Sequence, residues 1–135
     1  MKALIDTNVI LDVLCDRAPF AEDAQTMFRM CEVKRVEGFV SALSVPNIIY
    51  IMRKELDTEK ISDILEKLTL IFKIADLKGS DLKNAVRLGF ADYEDAVQNV
   101  CAQRIGADVI VTRNIKDFSG SKVMAITPSE LISRL

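Results

Sequence analysis

Short apolar runs alternate with stretches of helical periodicity from one end of this chain to the other, and few architectures accommodate that alternation. The runs are Lys2–Ile5, Gly38–Ser41, Ile71–Ile74, Val109–Val111 and Val123–Ile126. Each is too short for a core helix and reads as a buried strand. Between them, apolar residues recur three and four apart, as at Ile61, Ile64, Leu65 and Leu68 within Thr58–Leu70. Further helices are predicted over Val9–Leu14, opened by Asp6 or Thr7 as a cap, and over 21–35. Others start at Ser44-Val45-Pro46-Asn47, run from Gly79 to Leu88, and run from Asp92 to about Ile105, where Gly106 suits a helix end. Strands alternating with helices imply an α/β fold, a mainly parallel sheet of about five strands with helices on both faces, in three α/β/α layers.

The chain has 135 residues, which suits one domain spanning 1–135, and it carries no repeat, low-complexity tract or linker. Half of the residues are hydrophobic and 28% are charged, which excludes a disordered chain. Three cysteines, Cys15, Cys31 and Cys101, with no His anywhere, exclude a zinc site and are expected to be buried reduced thiols. The apolar runs are too short to span a bilayer, so a soluble, cytoplasmic protein is expected. A net charge of −2 gives no general attraction for nucleic acid, so any such contact needs local Lys and Arg or a bound cation. Tyr50 and Met52 are expected in the core.

Carboxylates stand where strands end. Asp6 follows the first run, Asp117 follows the fourth, and Asp92 and Asp95 open the helix between them. In a parallel α/β sheet those ends converge on one crevice. Converging carboxylates suit Mg2+ or Mn2+, which prefer oxygen ligands and support phosphodiester hydrolysis. Each acid also has a plain structural explanation: Asp6 and Asp92 as helix caps, Asp95 in a favourable first turn, and Asp117 as a turn residue. Their joint placement favours the site. Asp92, Asp95 and Asn99 are spaced to share a helix face, opposite Ala96, Val97, Val100 and Cys101.

Three segments resemble the PIN domain family of metal-dependent nucleases, which includes VapC-like toxins. Met1-Lys2-Ala3-Leu4-Ile5-Asp6-Thr7-Asn8 resembles its opening strand and first acid, Asp92-Tyr93-Glu94-Asp95-Ala96 its third acidic motif, and Val111-Thr112-Arg113-Asn114-Ile115-Lys116-Asp117-Phe118 its last. The resemblance implies Asp6, Asp95 and Asp117 as catalytic, metal-binding carboxylates with Asp92 as a further ligand, and Asn8, Asn47, Thr112 and Asn114 as auxiliary residues. Asn47 and Asn114 stand where many relatives carry an acid. A subgroup with Asn in the second motif looks similar, through Ile5–Leu14 and Arg17-Ala18-Pro19-Phe20. Asn still offers a carbonyl oxygen but no base, so weaker metal affinity is expected.

The resemblance implies a ribonuclease that cleaves single-stranded RNA with Mg2+ or Mn2+, a homodimer and an antitoxin partner. Arg113, Lys116 and Lys122 are candidate phosphate contacts. Two other readings compete. A catalytically silent module that binds RNA or protein would explain Asn47 and Asn114. A receiver domain would use Asp6 for metal and Asp76 as phosphate acceptor, although Asp6-Thr7 and Thr127-Pro128 depart from the acidic pair and Lys that receivers carry.

Overall fold

The computed structural model describes residues 1–135. Five strands, β1 (Lys2–Ile5), β2 (Glu37–Ser41), β3 (Lys73–Ala75), β4 (Val109–Val111) and β5 (Met124–Ile126), form one sheet in the order β3-β2-β1-β4-β5. Every neighbouring pair is parallel. Seven helices flank it: α1 (Thr7–Leu14), α2 (Ala21–Glu32), α3 (Ser44–Met52), α4 (Thr58–Ile71), α5 (Gly79–Val86), α6 (Tyr93–Arg104) and α7 (Pro128–Ser133).

The strand pleat sorts the core into layers, because successive side chains leave opposite faces. Ala3, Ile5, Val109 and Val111 enter the larger apolar cluster with Val9, Met27 and Leu131, under α1, α2 and α7. Leu4 and Ile110 point the other way, to Cys101, Ala102 and Phe118 beneath α6. The three-layer α/β/α fold is therefore the expected one. Parallel strands buried on both faces read as continuous apolar runs, which is why they were visible in the sequence.

The strand order decides between two of the sequence readings. Receiver-type sheets run 2-1-3-4-5, whereas 3-2-1-4-5 is the dinucleotide-fold order, with its switch point between β1 and β4. Asp76 follows an edge strand, on the far side of β2 from Asp6, and its carboxylate pairs with Arg104 at 3.4 Å. The receiver reading is overturned.

Other expectations shift. α4 continues through Ile71, so the third strand starts at Lys73 rather than Ile71. Helix α7 and a 3-10 turn over Ile115–Phe118 were not anticipated. Cys31 and Cys101 are buried, and burial pushes their thiols up to about 12 and about 11 respectively. Cys15, by contrast, is exposed, because it caps the C-terminus of α1 beyond the apolar face. Met52 is in the core, but Tyr50 is 53% exposed, with the Arg53 guanidinium 4.5 Å from its ring. No helix is long and apolar enough to cross a membrane.

Candidate active site

Asp6 belongs to two elements at once. Its N–H donates to the Val111 carbonyl at 2.9 Å, extending the β1–β4 ladder by one bond. Its carboxylate Oδ1 then accepts the Thr7 N–H at 2.9 Å as the N-cap of α1. The strand therefore ends and the helix begins on one residue, and that fixes the carboxylate at the switch point. Thr112, one residue beyond β4, donates its hydroxyl to Asp6 Oδ2 at 2.9 Å, and Gln98 Nε2 lies 3.4 Å from Oδ1. Burial pushes the Asp6 carboxyl above its ordinary value against the pull of these bonds, and Asp117 adds to the rise.

Helix α6 brings a second set. Asp92 caps it, accepting the Glu94 and Asp95 N–H groups at 2.7 and 3.3 Å. Burial, with Asp92, Asp6, Asp117 and Glu94 nearby, pushes Asp95 up to about 7. One turn on, Gln98 donates to Ser44 Oγ at 3.0 Å, and Ser44 also accepts the Thr7 hydroxyl at 2.7 Å. This buried network ties β1, α3 and α6 together behind the acids.

The third contribution is the 3-10 turn after β4. The Asn114 N–H donates to Thr112 Oγ1 at 3.1 Å, and the Asp117 N–H donates to the Asn114 carbonyl at 3.0 Å. Phe118 is buried and meets Phe90 edge to face, which holds the far end of the turn. Asp6, Asn8, Asp92, Glu94, Asp95, Gln98, Asn114 and Asp117 thereby line one open crevice of about 620 Å³. No Lys or Arg lines it. A separate apolar groove between α3 and α4 has Val40, Ile48, Leu68 and Phe72 in its walls and no titratable side chain, so it holds no hydrolytic chemistry.

This sheet order, with an acidic crevice at its switch point, is accompanied by a family match. The sequence pattern of the PIN domain matches residues 2–116. The chain belongs to the PIN domain family. No curated protein matches the chain in sequence. Among solved structures, the chain is similar to FitAcB from Neisseria gonorrhoeae, with 19% identity, a TM-score of 0.70, and coverage of 94% of this chain and 98% of that one. VapBC-1 from nontypeable Haemophilus influenzae gives 15% identity and a TM-score of 0.73, over 96% of this chain and 99% of that one. VapC20 of Mycobacterium tuberculosis, described as a sarcin-ricin loop cleaving toxin, gives 11% identity and a TM-score of 0.62, over 80% and 86%.

Within this PIN domain, six of the residues singled out in the sequence meet at the crevice: Asp6, Asn8, Asp92, Asp95, Asn114 and Asp117. Thr112 stands behind them, fully buried. Asn47 is not in the lining; the α3 residue that joins the network is Ser44. Asn99 does not share the face of Asp92 and Asp95. It is fully buried and its Oδ1 accepts the Ser121 hydroxyl. Gln98 takes the place at the crevice, which the pattern concealed because α6 is buried on nearly all sides. Lys116 and Lys122 are exposed on the surface, whereas the Arg113 guanidinium is engaged by the buried carboxylate of Asp12. The signal for Asp12 was an acid inside the apolar run Val9–Leu14, which has to find a partner when buried.

The donor set of this PIN domain fits a hard divalent cation. Every polar group on the lining side chains offers oxygen, and the Asn8 Oδ1 and Gln98 Oε1 atoms are buried without a partner. No three acidic side chains stand close enough to hold an ion directly. A hard divalent cation that keeps several of its waters would take only one or two of these carboxylates directly.

Proposed function

We propose that this PIN domain is an endoribonuclease that hydrolyses phosphodiester bonds in single-stranded RNA with Mg2+ or Mn2+, as the toxin of a toxin-antitoxin pair. The observation that carries the reading is the concentration of Asp6, Asp92, Asp95 and Asp117 in a crevice without one cationic side chain. Asp95, pushed up to about 7 by burial first and by the neighbouring carboxylates second, is a group whose charged form a divalent cation would favour.

In this reading Asp6, Asp95, Asp117 and Asp92 share the cation, one or two of them directly and the others through its waters. When bound, the cation activates water and offsets charge on the scissile phosphate. Thr112 and Gln98 orient the Asp6 carboxylate through the bonds described above. Asn8 and Asn114 offer amide oxygens to metal-bound water, and Lys116 is the exposed cation on the turn that carries Asp117. A homodimer and a neutralising antitoxin belong to the same proposal. Its support is the fold shared with FitAcB and VapBC-1, and with the toxin-antitoxin complex from Klebsiella pneumoniae.

The second reading, a silent binding module, draws on Asn114 at the crevice and on the wide spacing of the acids. Labelled RNAs and single-stranded DNAs, incubated with Mg2+, Mn2+ or chelator, separate the two. RNA cleavage that requires metal and is lost in Asp6→Asn is the expected result. Wild type no more active than Asp6→Asn across the panel would overturn the nuclease reading in favour of the silent module.

A further inference from the structure

Asp12 is 1% exposed, yet it lies on α1 outside the crevice lining. Its Oδ2 accepts Arg113 Nε at 2.7 Å and its Oδ1 accepts Arg113 Nη2 at 3.1 Å. This is the two-pronged geometry in which a guanidinium and a carboxylate fix each other's orientation. Arg17 adds a longer contact to Oδ1 at 3.8 Å. One face of the Arg113 guanidinium is covered by Phe20, whose ring centre is 4.2 Å from the guanidinium carbon. With Nε and Nη2 engaged and one face covered, most of the Arg113 guanidinium is committed to contacts within the fold.

Arg113 lies between two residues of the crevice system. Thr112 before it donates to Asp6, and Asn114 after it starts the turn that carries Asp117. The turn has anchors at both ends, the Arg113 pair at one and the buried Phe118 ring at the other. Asp117 itself is exposed and no side-chain hydrogen bond holds it. Its position over the crevice therefore comes from the anchors.

We propose that Asp12 and Arg113 are positioning residues that hold the turn so that Asp117 faces Asp6 and Asp95. Neither touches the reacting atoms; they act through the backbone of the turn. The proposal deepens the nuclease reading and rests on it. It reassigns Arg113 from a phosphate contact to half of a clamp on the buried Asp12, and gives the acid in α1 a role in the chemistry at the end of β4.

The test is a double-mutant cycle of Asp12→Asn, Arg113→Gln and the pair, with Arg113→Lys as the conservative variant. Mn2+ binding is followed by its electron spin resonance signal, cleavage of a labelled single-stranded RNA gives kcat and KM, and hydrogen exchange reports on residues 114–118. Each single variant is expected to bind Mn2+ about tenfold more weakly and to lower kcat with KM nearly unchanged, as loss of an outer orienting partner does. The double variant is expected to be no worse than the poorer single, because both remove one interaction. Arg113→Lys is not expected to rescue, since an ammonium lacks the fork. Exchange over 114–118 should quicken in every variant.

Additive losses would overturn the proposal, as would a raised KM confined to the Arg113 variants, which would return Arg113 to the substrate. Unchanged exchange over 114–118 alongside a general fall in stability would leave the pair merely structural and also overturn it. If Asp12→Asn does not fold, Arg113→Gln and Arg113→Lys still decide the matter through exchange over 114–118 and the split between kcat and KM. Wild type that neither binds Mn2+ nor cleaves would instead sink the nuclease reading, and the exchange data still judge the clamp separately.

Discussion

Asp95 gathers the electrostatic cost of the crevice on one residue. Burial first, and then Asp92, Asp6, Asp117 and Glu94, push it up to about 7, against about 3.9 in an unfolded chain. Between those values the folded protein keeps a proton that the unfolded chain has released. Stability in chelator therefore falls as pH rises from about 4 to about 7, and is level above. Asp95→Asn removes this slope. At pH 8 the variant is expected to be more stable than wild type by about 1–2 kcal/mol, a figure reduced for the partial exposure of the side chain. At pH 4 the two should coincide. Urea midpoints at the two pH values check this, and an equal gap at both would refute it. The acids themselves were legible in the sequence because each sits at a strand or helix boundary. Gln98 and Asp12 were not, since their roles depend on partners distant in the chain, Asp6 at one and Arg113 at the other.

At the level of elements, β2 passes close to α2 and to the residue before β3. A Cβ on Gly38 would stand 2.7 Å from the Phe72 ring and 2.9 Å from Cys31 Sγ. Phe72 cannot swing aside freely, because it meets Phe28 edge to face at 4.9 Å. Gly38→Ala is therefore expected to cost about 1–3 kcal/mol by overpacking. A denaturation midpoint unchanged from wild type would show that the contact relaxes. The glycine's packing role was invisible in the sequence, where Gly38 reads only as the start of a strand. The strands and longer helices were legible from runs and spacing. Helix α7 was missed although Thr127, Pro128 and Glu130 spell a helix start, with the Thr127 side chain accepting the Glu130 N–H at 3.1 Å. The short chain after β5 offered too few residues for a period to appear.

For the whole molecule, the nuclease reading couples metal to folding. A cation that binds the assembled acids and not the unfolded chain raises stability by mass action, about 2.7 kcal/mol at a hundredfold excess over its dissociation constant. Millimolar Mn2+ is expected to raise the thermal midpoint of wild type by several degrees and that of Asp6→Asn and Asp117→Asn by much less. An equal rise in all three proteins would place the binding elsewhere. The groups that make the crevice come from both ends of the sequence: Asp6 follows the first strand, whereas Asp117 follows the fourth and depends on β4 lying beside β1. Asp6 thus leaves a ribosome well before Asp117. A chain still being synthesised carries the early carboxylate without its partners, so on the nuclease reading it cannot cut until β4 and the turn after it have emerged. On that reading the central position of β1 acts as a timer: competence waits until β4 takes its place beside it.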